Sequence, residues 1–206
     1  MPNKNITSAV DRLFRSYDAY TGNASEDTLF ALLTALHSLD DRLETTKGRL
    51  FFEIPEYVAL KALRNHFHHG GEVRYALRVK ALAGELSHSD LLHACLIATA
   101  DCTAAIEGAK DKYREGVRQA FETTAMGYGT VADINPCIFN CVVKIYEKLQ
   151  GLELAGDSDA FAEFSAQYAW ETANGYSHYV SGTILTHPAR VSNIPAAMEH
   201  LYNSAL

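Results

Sequence analysis

Leu29, Leu32, Leu33, Leu36, Leu39 and Leu43 recur at intervals of three and four residues, the spacing that lines one face of an α-helix. A row this long has to be covered, and the rest of the chain offers partners with the same period. Val10, Leu13, Phe14 and Tyr17 precede it, and Leu60, Leu63 and Phe67 follow. Ile138, Val142, Ile145 and Leu149 form another row, and Phe161, Phe164 and Tyr168 a further one. Helix boundaries are marked as well. Ser25 with Thr28 precedes the leucine row, Pro55 suits a first helical turn, Asn135-Pro136 reads as a cap and first-turn proline, and Ser158 as a cap. Gly22, Gly70-Gly71, Gly151 and Asn174-Gly175 mark ends. Ser89 is expected to open a helix through Leu92, Leu96, Thr99, Thr103 and Ile106, and Pro195 to Tyr202 to form a short last one. Arg49 to Glu53 reads as a short extended piece, and a fourth segment, Val73 to Leu86, reads ambiguously at its start, since Val73 to Val79 alternates as a strand would. Phe161, Phe164 and Trp170 are expected in the core. The fold predicted is all-α, a single helical-bundle domain over residues 1–206.

Apolar residues make up 48% of the 206 residues and charged ones 21%, the balance of a globular chain. The longest apolar run, Leu91 to Ala100, is interrupted by His93 and is about half of what a membrane helix needs. No apolar stretch of signal-peptide length precedes Asp11 and Arg12. The expected location is therefore cytoplasmic, with no membrane partner. Cys95 and Cys102 stand seven apart and Cys137 and Cys141 four apart, helical repeats in apolar surroundings, so all four are expected to be reduced core residues. The net charge of −7 excludes a broadly cationic nucleic-acid coat. The charge is uneven, however. Residues 61–80 hold five basic residues, one acidic residue and three histidines, whereas the remainder holds 13 basic and 24 acidic residues. A local contact with a polyanion is allowed there.

That window contains the densest chemistry, Leu63-Arg64-Asn65-His66-Phe67-His68-His69-Gly70-Gly71. Imidazole both takes and gives a proton near neutral pH, and the arginine fork matches phosphate oxygens. Together they suit cleavage of RNA by attack of the 2′-hydroxyl on its own phosphate. An arginine, a polar residue directly after it, three more residues and a histidine at a helix end resemble the signature of the HEPN superfamily (higher eukaryotes and prokaryotes nucleotide-binding). The resemblance implies a metal-independent endoribonuclease that needs no cofactor and acts on single-stranded or looped RNA. It also implies a homodimer whose two motifs meet at the interface, and a toxin or defence role with an antitoxin partner protein. By that carry-over His69 is the acid/base residue, Arg64 the phosphate contact and Asn65 a supporting polar group. Where some members have a tyrosine two residues after the histidine, this chain has Gly71, with Tyr75 the nearest tyrosine.

Helix geometry qualifies the pairing. On an ideal helix Arg64 and His69 lie about 140° apart, whereas Arg64 and His68 nearly align. Either the last turn deforms or a second subunit supplies the missing partner, so His68 stands in reserve and His66 behind it. Arg74, Arg78, Lys80 and His68 are the candidate substrate contacts, with Phe67 or Tyr75 to stack a base. Plainer readings stay open. The histidines also suit a solvated helix C-terminus, and Arg64 a pairing with Asp40 or Asp41. A metal site from His66, His69 and His37 is the least supported of these. Ser177-His178 lacks a nucleophile elbow, Gly127-Tyr128-Gly129 reads as a turn, and Glu85, Glu107, Glu115 and Glu122 are expected in solvent. A catalytically inactive RNA-binding or protein-interaction module is the alternative function.

Overall fold

The computed structural model describes residues 4–69, 78–81, 88–91, 93–185 and 193–204. Helices dominate. Helices α1 (Lys4–Gly22) and α2 (Glu26–Lys47) pack against each other across a short link. Ser25 starts α2 with a reciprocal cap. Its hydroxyl accepts the Thr28 N–H at 3.2 Å, and the Thr28 hydroxyl accepts the Ser25 N–H at 2.9 Å. Gly48 ends the helix at φ +81°, a left-handed conformation that suits glycine.

The segment expected to be extended is a 3₁₀ turn, Phe51–Glu53, which drops the Phe51 ring into the core ahead of α3 (Pro55–His69). Helix α3 is tied to α6 (Asn135–Gly151) by Lys144, whose ammonium reaches both oxygens of the buried Glu56 carboxylate at 2.7 and 2.9 Å. Helix α7 (Asp159–Asn174) begins at Ser158, which caps the Phe161 N–H as expected. On the inner side of α1, the Phe14 ring meets Phe161, Phe164 and Tyr146 edge-on, joining α1, α6 and α7.

The fold is mostly helical, as expected, with a small sheet that the helical reading did not include. Strands β1 (Arg78–Ala81), β3 (His93–Ala98), β4 (Met126–Tyr128) and β5 (Val131–Asp133) form an antiparallel sheet in the order β1-β3-β5-β4. A second pair joins β2 (His88–Ser89) to β6 (Ile184–Leu185). The helix expected from Ser89 is thus strand β3 followed by α4 (Thr99–Glu107) and, after a break, α5 (Asp111–Thr124). The reason is burial on both faces. Cys95, Ile97 and Ala132 join the main helical core, while Ala94, Leu96 and Val131 pack with Ile184 and with Met198 of α8 (Ile194–Asn203). A strand covered on both sides loses its alternation and reads as a continuous apolar run.

Four smaller expectations change as well. Cys95 lies on a strand and Cys102 on α4, so their spacing is not a helical repeat; all four cysteines are free thiols. Asn135 does not cap α6. Its buried amide accepts the Tyr20 hydroxyl at 2.8 Å and donates to the His93 carbonyl at 2.9 Å. Trp170 is 53% exposed and stacks on Tyr176, because Phe161, Phe164 and Tyr168 already fill the inner row of α7. Gly127 and Tyr128 belong to β4, and the turn follows at Gly129. Glu107, Glu115 and Glu122 face solvent, and Glu85 lies outside the described residues. Among the described residues no helix is long and apolar enough to cross a membrane.

Candidate functional site

Helix α3 packs against α4 and α5, and the three enclose a groove of about 1050 Å³. Val58, Lys61, Ala62, Asn65 and His66 form its α3 wall, the i, i+3, i+4 row of that helix. The facing wall comes from Ala104, Ala105 and Gly108 near the end of α4 and from Tyr113, Gly116, Val117 and Ala120 on α5. The small residues are what leave the space. The interior is apolar and the rim is basic: Arg49, Lys61, Lys110 and Lys112 line the groove against one acidic residue, Glu53.

The rim charges differ in how far they are neutralised. Arg49 donates to Glu44 at 2.7 Å and to the Tyr113 hydroxyl at 3.1 Å. Lys61 reaches the fully buried Asp40 carboxylate at 3.0 Å. Glu53 is paired with Lys148 at 2.8 Å. Lys110 and Lys112 make no ion pair among the described residues, and the Lys112 ammonium lies 4.7 Å from the Tyr113 ring centre. Lys112 and Arg49 together lower the Tyr113 phenol below its ordinary pKa. Phe52 and Tyr113 stand together at the mouth, ring centres 6.2 Å apart. Uncompensated cations beside two aromatic faces form a surface that accepts phosphates and planar rings.

The motif at the end of α3 is divided by the helix. Asn65 and His66 line the groove. Arg64 does not; it is half-buried, its guanidinium donates to Asn65 Oδ1 at 3.3 Å, and its Nε is buried with no hydrogen-bond partner among the described residues. The alternative pairing of Arg64 with Asp40 or Asp41 is not found among the described residues, where Asp40 is taken by Tyr57 and Lys61 and Asp41 lies 3.3 Å from His37. His68 is exposed, and Phe67 is buried in the core. His69 closes α3, but its side chain, like those of Arg78 and Lys80, lies outside what the structure describes, as do Arg74 and Tyr75 altogether. Strand β1 places Arg78 opposite Leu96 and Lys80 opposite Ala94.

His66 also has a partner that sequence reading missed. Its Nε2 lies 3.6 Å from Oδ1 of Asp101, in the first turn of α4. The two side chains are 20% and 16% exposed. The α5 wall was missed too, although Lys110-Asp111-Lys112-Tyr113-Arg114 is a compact charged run at a helix start. No three His, Cys, Asp or Glu side chains among the described residues are gathered to hold a metal ion. Comparison with protein-family profiles, with curated proteins and with solved structures gives no match.

Proposed function

We propose that the chain is a metal-independent endoribonuclease whose substrate strand runs along the groove between α3 and α5. The observation that carries this reading is the row Lys61, Asn65 and His66 of the motif helix, set in a groove with unpaired Lys110 and Lys112 opposite and two aromatic rings at its mouth. Cations of this kind hold backbone phosphates and rings of this kind stack bases, whatever the sequence. The chemistry at the helix end is acid–base. An imidazole, His69 in the motif, is the acid/base residue of the cleavage, and Asn65 steadies a phosphate oxygen. Arg64 supplies positive charge from the edge of the helix. In this reading the active unit is a homodimer, RNA is the substrate, and an antitoxin protein partner restrains it.

The test is incubation of the purified protein with a structured RNA pool in EDTA, beside Arg64→Ala, His69→Ala and His68→Ala. Fragments ending in 2′,3′-cyclic phosphate, lost with Arg64→Ala and His69→Ala, support the proposal. Loss with His68→Ala alone keeps the activity and moves the acid/base residue by one position. The position of Arg64 off the groove wall, tied to Asn65, favours a second reading, an RNA-binding module without catalysis. Salt-sensitive RNA binding with no product across varied RNAs selects it.

A further inference from the structure

We infer that His66 is a second proton-transferring residue of this site and that Asp101 is its positioning residue, an inference that rests on the ribonuclease reading above. Three observations bear on it. His66 is on the groove wall, where Arg64 is not. Its neighbour Asp101 comes from a different helix, so the two are brought together by the packing of α3 on α4 rather than by chance along one helix. And each side chain holds a buried atom with no hydrogen-bond partner among the described residues: His66 Nε2, which faces Asp101 Oδ1, and the second carboxylate oxygen of Asp101, Oδ2.

Buried polar atoms left without partners are costly, and among the described residues the one ion pair of each side chain is with the other. At 3.6 Å the pair is just beyond hydrogen-bond reach. Unliganded acid–base pairs are often loose in this way and tighten when substrate fills the site. A carboxylate facing Nε2 selects the tautomer with its hydrogen there and leaves Nδ1 as the free base. It also stabilises the imidazolium formed once a proton is taken. A histidine oriented by an acid, at the wall of a groove with a basic rim, is the arrangement that abstracting a hydroxyl proton beside a phosphate requires.

The step balances without a co-reactant. The 2′-hydroxyl proton passes to His66 Nδ1 while the O2′–P bond forms and the P–O5′ bond breaks. The departing 5′-oxygen takes a proton from the protonated imidazole of His69. The products are a 2′,3′-cyclic phosphate and a 5′-hydroxyl.

The experiment uses the full chain, a 5′-labelled mixed-sequence single-stranded RNA for cleavage in EDTA, and the same strand with 2′-O-methyl sugars, which cannot react, for binding by anisotropy. His66→Ala should slow cleavage about 100-fold or more with binding of the methylated strand unchanged. Added imidazole should restore at least about tenfold of the His66→Ala loss, which no structural role of the ring would allow. Asp101→Asn should slow cleavage about tenfold through kcat and not KM, and in the His66→Ala background it should cost nothing more. His66→Gln, which keeps the size of the side chain, guards against a folding defect and should be as slow as His66→Ala. Wild-type cleavage with His66→Gln within about twofold, or a His66→Ala loss that imidazole leaves untouched, overturns the inference and leaves the ribonuclease reading standing. A wild type that binds the methylated strand and cleaves nothing overturns both.

Discussion

Asp133, the last residue of β5, accepts the Cys95 N–H of β3 and the Asn135 N–H at the start of α6 on the same carboxylate oxygen, each at 2.9 Å. One buried carboxylate thereby fixes where the sheet ends and the helix begins. Burial raises its pKa from the ordinary 3.8 to about 6, outweighing the two N–H donors that pull it down. The native state therefore binds the Asp133 proton more tightly than the unfolded chain. This contribution to stability is complete below about pH 4 and is lost as pH rises through about 6. Asp133→Asn keeps the accepting oxygen and removes the charge. It should stabilise the protein by up to about 3 kcal/mol above pH ~7, with the gain shrinking to nothing below pH ~4. Urea unfolding of both proteins across this range measures the difference, and a gain independent of pH would contradict the assignment.

Lys61 and Asp40 make a second prediction. Asp40 is fully buried and holds Lys61 at 3.0 Å and the Tyr57 hydroxyl, which burial and the carboxylate keep protonated. Lys61→Met leaves a buried carboxylate without its cation and should cost about 3 kcal/mol. Asp40→Asn added to it should recover part of that loss. A double-mutant cycle by chemical denaturation reads the coupling, and simple additivity would show the pair to be independent.

Gly182 makes a third. It lies at φ +69° with its N–H on Asp90 Oδ1 at 3.0 Å, and a Cβ there would fall onto the Pro136 ring at the start of α6. Gly182→Ala should destabilise by about 2 kcal/mol or more through left-handed strain and the clash. Gly116→Ala, whose Cβ meets nothing within 4 Å, is the control. It replaces a helical glycine and should be stabilising by up to about 1 kcal/mol. Thermal unfolding of the two variants should therefore shift in opposite directions.

Lys110 and Lys112 test the groove independently of catalysis. If phosphates lie along the basic rim, Lys110→Glu with Lys112→Glu should weaken binding of the 2′-O-methyl strand about tenfold or more at moderate salt. The dependence of affinity on salt should flatten by about 0.7 per lost contact. Unchanged binding and an unchanged slope would place the RNA elsewhere.

How much of this was legible depends on which faces each element buries. Helices α1, α2, α6 and α7 were read from one-sided apolar rows, and Ser25 and Ser158 from the cap chemistry at their starts. Strand β3 was not, because Cys95 and Ile97 serve one core while Ala94 and Leu96 serve another. The local motif was visible, yet its division was only half foreseen. Helical angle separated Arg64 from position 69, but which row would be walled in depended on α5, more than forty residues away in sequence. Asp101 simply follows the apolar run Leu91 to Ala100. Nothing local marks it as the neighbour of His66.

The second face of the sheet has a consequence for how the protein is made. Met198 of α8 covers Ala94, Leu96 and Val131, and Glu199 of the same helix accepts the Thr130 N–H and hydroxyl at 3.0 and 2.8 Å in the turn between β4 and β5. Helix α8 follows every strand that it covers, so during synthesis the strands are complete before their lid. Until some sixty residues more have left the ribosome, a nascent chain carries an apolar sheet face open to any passing hydrophobic surface. That interval, rather than the finished fold, is where this apolar surface is open to aggregation.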